Sequence, residues 1–141
     1  LVTSDDDAAL GGVYKLVSVR QDGEWRPRMK LSASKTTWPG RKEIFRFRDH
    51  KTGRFVRDVL GCADEPAPDG AERVLTEVVR DGEPVGERPD LETIRDRARA
   101  ELARLPDDVT RMENPRTYPV DISRALQQRF ERISAELEER Q

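Results

Sequence analysis

One stretch constrains this chain more than any other. From Arg26 to Arg57 it reads RPRMKLSASKTTWPGRKEIFRFRDHKTGRFVR, eleven basic residues against two acidic ones, a local charge of +9. The remaining fifteen basic and twenty-six acidic residues leave −11 elsewhere, within a net charge of −2. Such segregation builds a positive field on one part of a surface. Its natural partner is a polyanion: a nucleic acid backbone, an anionic phosphate ligand or an acidic neighbouring chain. Inside the strip Glu43–Arg48 (EIFRFR) alternates, with Ile44, Arg46 and Arg48 on one face of a strand and Phe45 and Phe47 on the other. The aromatics are expected to pack into a core while Arg46 and Arg48 face water or a partner. Trp25 and Trp38 also interleave with the cations, a pattern that single-strand nucleic-acid platforms share.

Apolar material to support such a strip is scarce. Of 141 residues 35% are hydrophobic and 38% charged, with a mean hydropathy of −0.84. Ordinary domains sit near roughly 45–50% apolar and 25% charged. Because the charges nearly cancel, the composition is not that of a strongly charged disordered chain. The expectation is a folded, under-cored polypeptide that leans on something else. Leu1 reads as a cut end, left by a tag or lying within a longer protein. No run approaches the roughly 18 apolar residues of a membrane span, and no apolar leader region opens the sequence.

Cys62 is the single cysteine and His50 the single histidine, so an intrachain disulfide and a Cys/His zinc site are both excluded. Cys62, in VLGCAD, is expected as a small buried filler, and His50, in RDHKTGR, as an exposed turn residue. Nucleophilic catalysis within the chain has little to work with.

Along the chain, TSDDDAA looks like a capped entry into a turn or short helix, ended by Gly11-Gly12. Val13–Val19 reads as a strand, Asp22-Gly23 as a hairpin turn, and Trp25–Leu31 as the returning strand, with Pro27 marking an edge or bulge. Residues 32–42 form a loop. Glu43–Arg48 and Phe55–Leu60 make a second hairpin. Residues 63–73 are an acidic loop, Val74–Val79 a further strand, and Asp81-Gly82 a turn. Asp90 caps a helix whose stripe is Leu91, Ile94, Ala98, Leu102 and Leu105, stopped by Pro106. A second helix begins near Ser123, with Ile122, Leu126, Phe130, Ile133 and Leu137 in line. Both stripes are expected to be packing surfaces. Between them lies an extended segment, 107–121. The fold class expected of the isolated segment is α+β, β-hairpins followed by two helices. It divides into residues 1–12, a β-rich part 13–89 and a helical part 90–141.

Lys15, Lys30 and Lys35 sit near the strand edges and the loop after them, interleaved with Ser32, Ser34, Thr36 and Thr37. Ammonium groups give point charge and hydroxyls give directional donors, which together suit phosphate oxygens. Gly40 would let backbone approach a ligand closely. Arg41 and Lys42 extend the group. There is no Walker-type loop and no paired carboxylates. Asp5, Asp6 and Asp7 are better read as a helix start than as a divalent-ion site.

The phrases LVTSDDDAALGGVYKLV, RPRMKLS, KTTWPGRKEIFR, RPDLETIRDRARAELARL and NPRTYPVDIS, in that order, resemble the C-terminal third of nicotinate phosphoribosyltransferase. That resemblance implies a parent with the α/β-barrel architecture of the type II phosphoribosyltransferases, a second domain and a dimer whose sites are completed across subunits. Residues 1–12 would then leave the phosphate-binding end of the barrel. It implies an activity too: nicotinate and phosphoribosyl pyrophosphate give nicotinate mononucleotide and pyrophosphate, with coupled ATP hydrolysis, in NAD salvage. Magnesium and ATP are the implied cofactors, the cytoplasm the implied compartment, and the remainder of the enzyme and a second subunit the implied partners. The base-stacking residues, the active-site histidine and a glycine-threonine phosphate stretch lie upstream of Leu1 in the family, so the chain is not expected to be active alone and no residue in it is expected to be catalytic. The resemblance puts phosphate-contacting roles on Lys15 and Lys30 first, then on Ser32, Lys35, Arg41 and Lys42. The alternative is a nucleic-acid-binding or protein-docking module using the basic hairpin 26–57; no membrane contact is expected, and nucleic acid is the weaker reading.

Overall fold

Two Asp-Gly pairs set two-residue hairpin turns. Asp22 and Gly23 both have positive φ (53° and 84°), as do Asp81 and Gly82 (52° and 87°). That combination matches the twist of a two-residue hairpin. In the computed structural model, which describes residues 14–30 and 36–139, each pair joins two short antiparallel strands. β1 (Ser18–Gln21) pairs with β2 (Glu24–Pro27), and β6 (Val79–Arg80) with β7 (Glu83–Pro84). β3 (Lys42–Arg48) and β4 (Phe55–Cys62) form the longest hairpin among the described residues, with β5 (Ala71–Arg73) beside β3 and β8 (Val120–Ile122) beside β4. The resulting four-stranded sheet runs β5-β3-β4-β8, antiparallel except for the parallel β4–β8 pair. The described residues also form two helices, α1 (Leu91–Leu102) and α2 (Arg124–Glu138).

The α+β expectation therefore holds, with corrections in detail. The first strand is Ser18–Gln21 rather than Val13–Val19, and its return stops at Pro27 rather than at Leu31. Pro27 closes an edge strand, as a residue without an N–H must. Of the strand expected at 74–79 only Val79 is in a strand. The acidic loop 63–73 ends in β5, and the extended segment 107–121 in β8. Both are three-residue strands whose existence depends on a neighbour far away in sequence, so local pattern does not announce them. The turn or helix expected at 3–9, with Asp5, Asp6 and Asp7, lies outside the described residues.

The chain folds as two compact units, residues 1–41 and 42–141. The boundary falls inside the basic strip. The core of the second unit is small: Phe45, Phe55, Val59 and Cys62 from the sheet, Leu126 and Ile133 from α2. Phe45 is fully buried, and Gly61 on the next strand makes room for it. A Cβ on Gly61 would lie 2.6 Å from a Phe45 ring carbon and 2.9 Å from a Glu65 carboxylate oxygen. Cys62 is buried as expected, and burial pushes its thiol up to about 11. His50 is exposed in the turn.

Side-chain hydrogen bonds pin α2 to the sheet. Ser123 caps it, its Oγ accepting from the Leu126 N–H at 3.1 Å and donating to Glu65 Oε1 at 2.6 Å. Glu65 also accepts from the Cys62 N–H, so one carboxylate joins the end of β4 to the start of α2. Glu43, nearly buried on β3, accepts from the N–H groups of Ile44 (2.9 Å) and Leu75 (3.1 Å) and from the Arg73 guanidinium (3.2 Å). Burial pushes its carboxyl up, but these three donors outweigh it and hold the group below the usual carboxylate range.

Candidate functional site

The cations expected to meet phosphate are gathered by one backbone carbonyl. Val17 O accepts from the Arg28 N–H at 2.8 Å and from the Gly40 N–H at 2.7 Å. The first bond extends the β1–β2 ladder by one pair, so Lys15 and Lys30 leave the open end of the same hairpin. The second draws the Trp38-Pro39-Gly40 loop to that end, with Gly40 at φ 85°. Lys15, Lys30 and Arg41 are all exposed there. The Arg41 guanidinium stands 5.1 Å from the centroid of the half-exposed Trp25 ring, a cation–π contact that keeps a planar donor extended in solvent. Ser32 and Lys35 lie outside the described residues. Lys42 belongs to the second unit, where it opens β3 opposite Cys62. It is half-buried, and burial lowers its pKa despite an opposing effect from Cys62. What the first unit offers chemically is exposed positive charge with hydrogen-bond donors in several directions, suited to anionic oxygens.

The rest of the basic strip behaves differently, and the field inferred from it is corrected here. In the second unit its arginines are met by carboxylates of this same chain. Arg48 Nε donates to Glu72 at 2.8 Å, and Arg54 and Arg57 pair with Asp107 and Asp121 at 2.9 Å each. Arg46 is held bidentately by Asp58, Nε to Oδ1 at 2.9 Å and Nη2 to Oδ2 at 2.8 Å. Arg46 and Arg48 thus meet carboxylates of their own unit rather than open water. Their guanidinium groups also lie over the Phe55 ring, 4.3 and 4.8 Å from its centroid, and Arg57 covers Phe47 at 4.1 Å. Charge separated along the sequence is reunited by the fold, which removes the physical basis for a nucleic-acid surface over this part of 26–57.

Around Arg46 lies a feature that sequence reading missed, an open cavity of about 510 Å³. Phe55, Ala98, Leu102, Leu105 and Val109 give it apolar walls. Its polar end is a network: Tyr118 Oη donates to Asp58 Oδ1 at 3.1 Å, and Glu101 comes within 3.5 Å of Arg46. Burial pushes the Tyr118 phenol up to about 12, with Asp58 adding to the rise. Counting back from the HKTGR turn, where Arg48 faces Phe55, would have set Arg46 opposite Arg57; the register shift between Phe47 and Arg48 brings it opposite Asp58 instead. Nothing local could have brought Tyr118 or Glu101 there. Among the described residues no group of three His, Cys, Asp or Glu is placed to hold a metal ion, and no helix is long and apolar enough to cross a membrane.

Comparison with known proteins gives a consistent answer. Residues 68–130 match the model of the nicotinate phosphoribosyltransferase C-terminal domain. A nicotinate phosphoribosyltransferase of Mycobacterium tuberculosis is 34% identical over 125 residues, covering 87% of this chain and 25% of that protein. Those of Bacillus subtilis (26% identical, 99% of this chain, 34% of that protein) and Rattus norvegicus (32%, 96% and 28%) also match. The crystal structure of human nicotinic acid phosphoribosyltransferase superposes with a TM-score of 0.71 at 28% identity, over 89% of this chain and 27% of that one. The chain therefore spans about a quarter to a third of the length of the curated relatives it matches. The resemblance read from its sequence stands: over nearly its whole length it is related to the C-terminal part of nicotinate phosphoribosyltransferase. None of these relatives favours the nucleic-acid alternative.

Proposed function

From that kinship we propose that the chain works as the C-terminal segment of a nicotinate phosphoribosyltransferase. The whole enzyme would join nicotinate to phosphoribosyl pyrophosphate, giving nicotinate mononucleotide and pyrophosphate with coupled ATP hydrolysis, in the cytoplasm and as a dimer. The observation that carries this reading is the asymmetry of the matches, 99% of this chain against 34% of the Bacillus subtilis enzyme. The barrel, the base-binding residues and the second subunit belong to the remainder. Magnesium is implied by the same kinship and would be held by the remainder of the enzyme; no step is assigned to the ion on this chain.

This segment's own contribution is charge. Lys15 and Lys30, exposed at one end of the β1–β2 hairpin, are the first candidates to contact phosphate oxygens of phosphoribosyl pyrophosphate or ATP. Their ammonium groups would stabilise the charge that accumulates as pyrophosphate leaves. Arg41, Ser32 and Lys35 follow. Lys42 is the weakest member, since burial disfavours its charged form. In the full-length enzyme Lys15→Ala or Lys30→Ala should raise KM for phosphoribosyl pyrophosphate or ATP roughly tenfold, the size expected for one hydrogen bond to a charged group, with the fold unchanged. Steady-state kinetics of nicotinate mononucleotide formation measure this. Unchanged constants in both variants would remove the lysines from the site.

A further inference from the structure

The segment from Leu75 to Ala100 is built but uncovered. It contains the β6–β7 hairpin and most of α1, yet every residue in it is exposed. Nine of the thirteen large apolar side chains exposed among the described residues fall between Leu75 and Val120. On α1, Leu91, Ile94 and Leu102 share one face and are 78%, 37% and 60% exposed. Ala98 and Leu102 of that face continue into the apolar wall of the cavity beside Arg46, completed by Phe55, Leu105 and Val109. A helix of twelve residues is marginal in water by itself, and an exposed apolar helix face that runs into an open apolar groove marks an interaction surface.

We propose that this ridge and groove seat an apolar segment of the parent enzyme's own N-terminal remainder. The inference rests on the reading of the chain as a C-terminal segment. Two observations choose that occupant. The uncovered residues lie within 68–130, the stretch matched by the C-terminal domain model. The relatives that carry this stretch also carry roughly two thirds to three quarters of their length beyond the match, so the surface belongs to a unit that occurs joined to a much larger partner. The polar end of the groove fits the same role. Arg46, Asp58 and Tyr118 satisfy one another there, so the occupant need supply only apolar contact.

The test is thiol accessibility at position 94, with Ile94→Cys placed in both the 141-residue chain and the full-length enzyme. Cys62 is buried and its thiol is pushed up to about 11, which keeps background labelling by a maleimide low. Ala100→Cys, on the opposite face of α1, is the control. The expected result is fast labelling at both positions in the free chain. In the full-length enzyme, labelling at position 94 should be slowed at least tenfold, with position 100 little changed. Equal reactivity at position 94 in the two contexts, in an enzyme that forms nicotinate mononucleotide, would overturn the seat while leaving the proposed function standing. Protection at position 94 in the free chain that grows with concentration, together with dimer in sedimentation, would assign the surface to a second copy and overturn it too. A full-length polypeptide that is folded but forms no nicotinate mononucleotide would instead sink the proposed function, whatever the labelling shows.

Discussion

The two helices carry the same kind of sequence signal and meet opposite fates. Each has an apolar stripe at spacings of three and four and an oxygen-bearing N-cap, Asp90 accepting from Thr93 N–H and Ser123 from Leu126 N–H. α1 is well made as an isolated helix. Glu92 lies in its first turn, Arg99 in its last, and Asp96 pairs with Arg99 one turn on, all in the sense that the helix dipole favours. It buries nothing. α2 has no acid in its first turn and no base in its last, yet it buries Leu126 and Ile133 against the rest of its unit. Local electrostatics can specify a helix; they do not say whether its stripe will be covered. Covering depends on what else the chain brings to the place, and in α1's case this chain brings too little.

That contrast can be attacked directly. The largest effect is expected from truncating the covered stripe. Leu126→Ala should cost about 3 kcal/mol, the usual loss for an emptied core leucine site, whereas Ile94→Ala in the free chain should stay within about 0.5 kcal/mol. Urea unfolding followed by circular dichroism reads both. Equal costs would mean that α1 is held in this chain as firmly as α2, and the contrast would vanish. Next comes the sheet under α2. Gly61→Ala should cost about 2 kcal/mol through overpacking, since the added Cβ would lie 2.6 Å from the fully buried Phe45 ring; a neutral effect in the same unfolding assay would show that the ring can move aside. The smallest effect is on pH dependence. Glu43 has its folded pKa depressed, so its contribution is complete above the unfolded carboxyl value near about 4.3 and is lost as pH falls through the folded value. Stability profiles of wild type and Glu43→Gln should therefore differ at neutral pH and converge in acid. Parallel profiles down to pH 2 would show that the carboxylate contributes nothing.

Much of the fold was legible in order along the chain, for identifiable reasons. Both Asp-Gly turns, the β3–β4 hairpin, the caps at Asp90 and Ser123, the buried Cys62 and the exposed His50 are local matters of backbone freedom, period and capping. The resemblance to nicotinate phosphoribosyltransferase was legible too, in phrases such as GGVYKLV, KTTWPGRK and NPRTYPVDIS, and the similar proteins agree with it. β5 and β8 were not legible. Each is three residues long, and its pairing partner is contributed by strands 24 and more residues away. Of the candidate site, the residue types were readable and their company was not. Lys15, Lys30 and Arg41 are brought to one end of a hairpin by the Val17 carbonyl, whereas Lys42 enters another unit and loses part of its solvent.

The charge pattern marks the boundary between what sequence settled and what only tertiary structure could decide. Sequence alone determined that Arg26–Arg57 is basic and the remainder acidic, because composition is fixed before folding. Whether that charge would be displayed or cancelled depended on which carboxylates came within about 4 Å, where Coulomb attraction near a protein surface reaches several kcal/mol before solvation is counted. The fold brought Asp58, Glu72, Asp107 and Asp121 to Arg46, Arg48, Arg54 and Arg57. What looked like a field awaiting a polyanion is, in the second unit, an internal set of ion pairs. In the first unit Lys15, Lys30 and Arg41 remain exposed to solvent. No local pattern could make that distinction, because it rests on distances between residues up to 64 positions apart in the chain.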